Sequence, residues 1–211
     1  MTSLRLEPFH AQAARWPATG RHVLAQYDDD SVVVYQAYAP PIGRFAAEHG
    51  YFGGGFSLSR MSWIKPNFLW MMYRCGWATK AGQEVVLAVW LARDAFDRIL
   101  SLAVPSAFGD PRYTDRAAWA ADVERSDVRL QWDPDHDPHG HPTTRRAVQL
   151  GLRRDVIARY AKEWIRRIED ITPLVREQRA QLDRGGVTAL VTPAERVYPC
   201  LPSSRVGADL V

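Results

Sequence analysis

Four cations, Arg60, Lys65, Arg74 and Lys80, fall within 21 residues that carry no Asp or Glu, the next acid being Glu84. Among them stand Trp63, Trp70, Tyr73 and Trp77. Fixed positive charge collects anions and flat aromatic faces accept a base or a nicotinamide ring, so this stretch has the makings of a site for a phosphate-bearing nucleotide. Lys65 is the most informative of the cations. It precedes Pro66, which suits the first turn of a helix, and so stands where unpaired backbone N–H groups already favour an anion. A lysine there repeats the sign of the helix dipole, a local cost that a phosphate or carboxylate would relieve. The ordinary alternative is a salt bridge to Glu84 or another acid. Trp63, Trp70 and Trp77 are seven apart, and on a helix that spacing shares nearly one face, as for Trp70 and Trp77. A tryptophan-rich core explains them equally well.

Further candidates stand beside this cluster. Tyr35 and Gln36 lie in the run SVVVYQAY, and Ser62 and Asn67 place small polar groups next to Trp63 and Lys65. Gln149 sits between Val148 and Leu150, where a buried amide must find hydrogen-bond partners. With Glu195, in TPAERVYP, it is the candidate to orient a ribose or an acceptor. The loop DPDHDPHGHP holds His136, His139 and His141 among Asp133, Asp135 and Asp137, but it is broken by proline and has no HExxH spacing, so no metal is expected. The glycines of YFGGGFSL match neither a P-loop nor a GxGxxG fingerprint, and no GxSxG elbow is present.

The elements that must position these residues follow from periodicity. Strands are expected at 31–38, 61–64, 85–91, 128–132 and 145–152, and short helices after Pro40, after Pro66, over 93–102 and near 116–124. A long helix is expected over 155–169, with Ile157, Tyr160, Ala161, Trp164 and Ile168 on one stripe. The fold class is therefore α+β, a single domain with a mixed or antiparallel central sheet flanked by helices. Residues 1–20 form an N-terminal arm, 21–184 the domain and 185–211 a C-terminal tail that docks on it.

Composition excludes several classes. A hydrophobic fraction of 46 % with 24 % charged residues argues against disorder. No run approaches the ~18 apolar residues of a membrane span and no signal-peptide pattern opens the chain, so a cytoplasmic protein without a membrane partner is expected. Two distant cysteines, Cys75 and Cys200, make no disulfide framework. Residues 145–184 carry 11 Lys or Arg against 6 Asp or Glu, a surplus of 5 in a chain whose net charge is +3, so the rest sums to −2. That basic region suits a phosphate-bearing partner, RNA included.

The strings YQAY, RMSWIKPNFLWMMYRCGWATKAGQE, VRLQWDPDHD, RRAVQLGL and TPAERVYP together resemble the bacterial and fungal family known as domain of unknown function 4291. The resemblance runs from about Arg21 to Pro199. Ser62 and Asn67 stand where the family pattern has Thr and Ser, and the central loop is extended by His139 and His141. The resemblance implies relatives and no reaction.

The order of elements is also similar to that of the ADP-ribosyltransferases: a strand with an aromatic-polar pair, a short helix with glycine, a strand with a small hydroxyl, a helix and a buried strand. This analogy implies a nucleotide-using transferase with NAD or another nucleotide as donor, acting on a nucleic acid or other acceptor. Two other readings stand beside it. One is an RNA-binding or RNA-processing protein that stacks bases on Trp63, Trp70 or Trp77 and sets Arg153, Arg154, Arg159 and Arg166 on phosphates. The other is a small-ligand binder without enzymatic activity.

Overall fold

The structure, a computed structural model, describes residues 4–200. Residues 1–3 of the arm and 201–211 of the tail lie outside the described residues. In chain order the strands are β1 (Leu6–Pro8), β2 (Gly20–Arg21), β3 (Leu24–Ala25), β4 (Ser31–Tyr38), β5 (Ser62–Ile64), β6 (Val85–Ala92), β7 (Ala103–Pro105), β8 (Val128–His136), β9 (Pro142–Leu152), β10 (Ile165–Asp170), β11 (Val191–Pro193) and β12 (Arg196–Val197). The helices are α1 (Phe9–Ala13), α2 (Pro40–His49), α3 (Phe68–Cys75), α4 (Arg93–Leu102), α5 (Arg116–Arg125), α6 (Arg154–Lys162) and α7 (Thr172–Gly185).

Two ladders make the body of this α+β domain. In the first, β6 lies between β4 and β10, antiparallel to both. All eight residues of β6 are buried, which its VVLAVWLA sequence allows because both faces are covered. The second is mixed: β8 and β9 form an antiparallel pair, β5 lies antiparallel to β9, and β2 and β7 add parallel edges. One antiparallel bridge, Tyr35 to Lys65, ties the ladders together. The joined surface curls like half a barrel.

Alternation along β4 divides the interior in two. Val32 and Val34 face a core shared with Leu87, Phe96, Leu130, Leu150, Ile157 and Tyr160. Val33 and Tyr35 face a second core with Phe68, Met72, Trp77, Ala88, Trp90 and Val175, so α3 and α7 pack on that side. Burial on this scale, at about 25 cal/mol per Å² of apolar surface, is the main force holding the layers together. The termini are sewn in by Gln12, fully buried, whose Nε2 donates to the Thr192 carbonyl oxygen at 3.1 Å and whose Oε1 accepts from Glu195 N–H at 2.8 Å.

The expected helix over 155–169 ends early. The chain leaves α6 at Lys162 and continues as β10, the outer partner of β6. Without β10, β6 would expose a row of unpaired backbone groups, and the β-branched Ile165 and Ile168 suit the pleated edge, so pairing overrides the helical stripe. The polar loop expected from Asp133 is also shorter than its composition suggests. The β8–β9 ladder runs on through Asp133 opposite Ala147 and Pro134 opposite Arg146. Among the described residues, no helix is long and apolar enough to cross a membrane.

Candidate functional site

Helix α3 starts and stops on local signals that decide where the site lies. Asn67 caps it, its Oδ1 accepting the Trp70 N–H at 2.7 Å. Gly76 ends it in the left-handed conformation at φ 58°, and Trp77 and Ala78 continue with positive φ, turning the chain away. Trp77 therefore lies beyond the helix, packed edge-on against Phe68 at 6.0 Å, and the seven-residue spacing does not bring it to the face of Trp70.

A cavity of about 270 Å³ opens between α3, β5 and the β8–β9 pair, lined by Trp63, Lys65, Trp70, Arg74, Gln131, Asp133 and Gln149. Trp63 reaches it because its partner across the ladder is Gly151: a Cβ at Gly151 would stand 3.1 Å from the Trp63 ring and 2.6 Å from Met61 Sδ. Trp70 also lines it, stacked on Tyr73 at 5.5 Å and on His136 at 5.3 Å, with the Arg74 guanidinium 5.9 Å from its ring. Burial holds His136 below its ordinary pKa, so the imidazole in this stack favours the neutral form.

Lys65 is 6 % exposed. Its Nζ donates to the Trp63 carbonyl oxygen at 3.3 Å, and among the described residues it forms no ion pair. Glu84, the alternative partner, instead accepts the Gly82 N–H at 2.9 Å. Burial, reinforced by the nearby Arg74, brings the Lys65 ammonium down to about 8, although Cys75 and Asp133 pull the other way. Asp133 is held by two amides: Gln131 Nε2 donates to Oδ1 at 2.8 Å and Gln149 Nε2 to Oδ2 at 2.7 Å. Gln131 and Gln149 are directly opposed on β8 and β9, so the carboxylate is clamped by one cross-strand pair.

Five of the residues expected at the site, Trp63, Lys65, Trp70, Arg74 and Gln149, thus line one cavity. Others are employed elsewhere. Gln36 and Ser62 belong to a buried network in which Gln36 Nε2 donates to Ser62 Oγ at 2.9 Å and to Tyr38 Oη at 2.7 Å, while Tyr160 donates to Gln36 Oε1 at 2.5 Å. The Tyr35 side chain packs edge-on against Phe68 at 5.5 Å, and only its backbone meets Lys65. Glu195 accepts the Phe68 N–H at 2.6 Å, which makes it a cap for α3, and burial raises its pKa well above the carboxylate range. Asn67 donates to its other oxygen at 3.3 Å. Arg60 and Lys80 are exposed and outside the cavity lining.

The glycine loop packs on Phe45, and Gly53 could not carry a Cβ, which would lie 2.7 Å from that ring. His139 and His141 are exposed around Asp137, which accepts both their N–H groups at 2.9 Å. Among the described residues, no group of three or more His, Cys, Asp or Glu is placed to hold a metal ion. Gln131 and Asp133 line the cavity in addition to the residues expected there. Their signal was present: positions i and i+2 of a strand share a face, opposite a glutamine on the partner strand.

A larger cavity of about 490 Å³, between β8 and the 106–110 loop, shares Gln131 with the first and contains none of the expected residues. Comparison with curated proteins gives no significant match. Comparison with family models matches residues 22–198, nearly the whole domain just described, to the family "Domain of unknown function (DUF4291)", and the chain belongs to that family.

Proposed function

We propose that the protein is a nucleotide-using transferase, with NAD or a related nucleotide as donor, and that the cavity at Lys65 is its donor site. The observation that carries this reading is a buried lysine that forms no ion pair among the described residues, sharing a cavity with Arg74 and two tryptophans. A buried ammonium without a partner is costly, and a ligand anion offsets that cost. Arg74, exposed on the last turn of α3, presents a planar fork to a phosphate approaching from solvent. Trp63 and Trp70, lining the same cavity, offer it aromatic surface on which a base can pack. The clamped Asp133 supplies negative charge where a sugar carbon turns cationic as its base departs, and Arg74 balances the phosphates. At about 270 Å³ the cavity is close to the lower end of ligand pockets, which suits one nucleotide half with the remainder reaching outward past Arg74. The likeness of element order to the ADP-ribosyltransferases agrees with this reading as an analogy only. Reduced Cys75 and Cys200 suit a cytoplasmic setting.

The RNA-binding reading draws less support. Arg153 donates to the carbonyl oxygens of Val123, Glu124 and Ser126, and Arg154 donates to that of Glu124 and pairs with Asp127, so both guanidiniums are already engaged at the C-terminal end of α5. A thermal-shift screen of NAD, ATP, GTP and a short RNA tests the proposal, because a ligand bound only by the native state raises Tm by mass action. Stabilisation by NAD or a mononucleotide that survives moderate salt is the expected result. Stabilisation by RNA alone, falling steeply with salt, contradicts it.

A further inference from the structure

We infer that Lys65 is the nucleophile of the transfer, its free amine adding to C1′ of the donor ribose to form a covalent ribosyl-lysine. The inference rests on the nucleotide reading above and deepens it. Three features converge. First, Lys65 lines the cavity and, among the described residues, its Nζ makes one hydrogen bond, 3.3 Å to a carbonyl oxygen, which fixes the amine without stabilising its protonated form as a carboxylate partner would. Second, Arg74 lines the same cavity, and a lysine desolvated beside another cation is the arrangement that frees an amine for covalent catalysis. The charged and titratable groups that act on Lys65 are Arg74 and Cys75 from α3 and Asp133 from β8. Third, Asp133 is locked by Gln131 and Gln149 on both of its oxygens, which orients a carboxylate toward a reacting centre without pairing it to the lysine. That negative charge favours a carbon electrophile, which gains positive charge in the transition state, over a phosphorus centre, whose oxygens it would repel.

With NAD as donor, the step balances as follows. The Nζ lone pair forms the C1′–N bond while the C1′ bond to the nicotinamide nitrogen breaks, and its electron pair leaves with nicotinamide, which departs neutral. The ammonium formed on Nζ passes one proton to Asp133. The nitrogen lone pair of the glycosylamine can then form the C1′=N bond as the C1′–O4′ bond breaks, the ring oxygen taking the proton back from Asp133 to become a hydroxyl, and the protonated imine so formed is what a hydride reagent captures. In turnover the closed-ring glycosylamine takes the proton on Nζ back from Asp133, the C1′–Nζ bond breaks as the acceptor oxygen or nitrogen bonds to C1′, and Lys65 leaves as its amine while the acceptor's proton passes to Asp133.

The chain supplies its own controls, since Lys80 and Lys162 are its only other lysines and both are exposed. The experiment incubates the full chain with NAD, ATP or GTP and cyanoborohydride, maps adducts by peptide mass spectrometry and measures released nicotinamide in the NAD arm. Binding of each nucleotide is followed in parallel by calorimetry. The expected result is one ADP-ribose equivalent per chain on Lys65 with one nicotinamide released, and trapping that quickens as pH rises through about 8. Asp133→Asn should still bind NAD and trap at least ~10-fold more slowly, since proton acceptance contributes about 10²–10⁴-fold in general base catalysis. Lys65→Arg, which keeps the charge, should bind and not trap. Binding without any Lys65 adduct overturns the inference and leaves the nucleotide reading standing. Equal labelling of Lys80 and Lys162 marks random glycation and also overturns it. Failure of every nucleotide to bind removes both.

Discussion

Tyr35 and Lys65 exchange a pair of backbone hydrogen bonds, Tyr35 N–H to Lys65 O at 2.7 Å and Lys65 N–H to Tyr35 O at 3.2 Å. Directly opposed residues of an antiparallel pair point to the same face, so the bridge carries Lys65 to the side of the sheet where α3 packs on Tyr35. The join between the two ladders is thus also what buries the lysine.

That burial should be visible in stability. The folded-state pKa of Lys65, about 8, lies below the ordinary lysine value of 10.5. Between those values the unfolded chain binds more protons than the native one, so wild-type stability should gain with rising pH through this window. Lys65→Met should remove that dependence and should be more stable than wild type near pH 7 by roughly 1–3 kcal/mol, the usual scale of a buried polar group without a full partner. Urea unfolding of both chains on either side of the window checks it. A Met variant less stable than wild type at neutral pH would show that the lysine is a satisfied structural group.

Glu195 gives the opposite slope. Its folded pKa is raised well above 4.5, chiefly by burial, so the native state holds a proton that the unfolded state has released. Stability should fall as pH rises from the ordinary carboxylate range toward the raised value. Glu195→Gln should flatten that part of the profile. Glu195→Ala, which strips the partner from the Phe68 N–H, should cost about 2 kcal/mol at acidic pH. A flat wild-type profile would contradict the protonated cap.

Gly151→Val tests the seat of Trp63. Its Cβ would lie 2.6 Å from Met61 Sδ and 3.1 Å from the Trp63 ring, so the indole must move off β9. The expected outcome is a loss of roughly 1–3 kcal/mol, typical of overpacking, with nucleotide affinity reduced alongside. Unchanged affinity would remove Trp63 from the binding surface.

Much of this architecture was legible in the sequence because its signals are local. Asp28 organises the turn into β4 by accepting from Asp30 N–H, Ser31 N–H and Ser31 Oγ, and the SVVVYQAY run then has no competing pattern. Asn67 and Gly76 mark both ends of α3. The losses have non-local causes. Trp164 and Ile168 continue the helical stripe of Ile157, Tyr160 and Ala161, and only the need of β6 for an outer partner turns this stretch into a strand. Tyr35, Gln36 and Ser62 are polar enough to suggest a ligand, but the curl of the sheet turns them toward Phe68 and Tyr160. Gln131 and Asp133 share a face of β8 by simple alternation, but that this face lines a cavity with Gln149 depends on the β8–β9 register, which is not local.

The clamp they form should separate binding from turnover. Gln149→Leu frees one oxygen of the half-exposed Asp133, so the stability cost should stay near ~1 kcal/mol while transfer slows about 10-fold or more. Single-turnover rates set against the unfolding midpoint report both. A variant with normal turnover would leave Asp133 as a structural carboxylate.

On the proposed reading, Arg74 meets the phosphates of a nucleotide donor and Lys65 its sugar. Isothermal titration of wild type, Lys65→Ala and Arg74→Ala with NAD, ATP and GTP tests it most directly. At least one nucleotide should bind the wild type, and each substitution should weaken that binding about 10- to 100-fold, the scale of one charge-assisted contact at about 1.5–3 kcal/mol. Folded variants that bind every nucleotide as tightly as wild type would contradict the account and leave the cluster a well-packed core with a cationic rim.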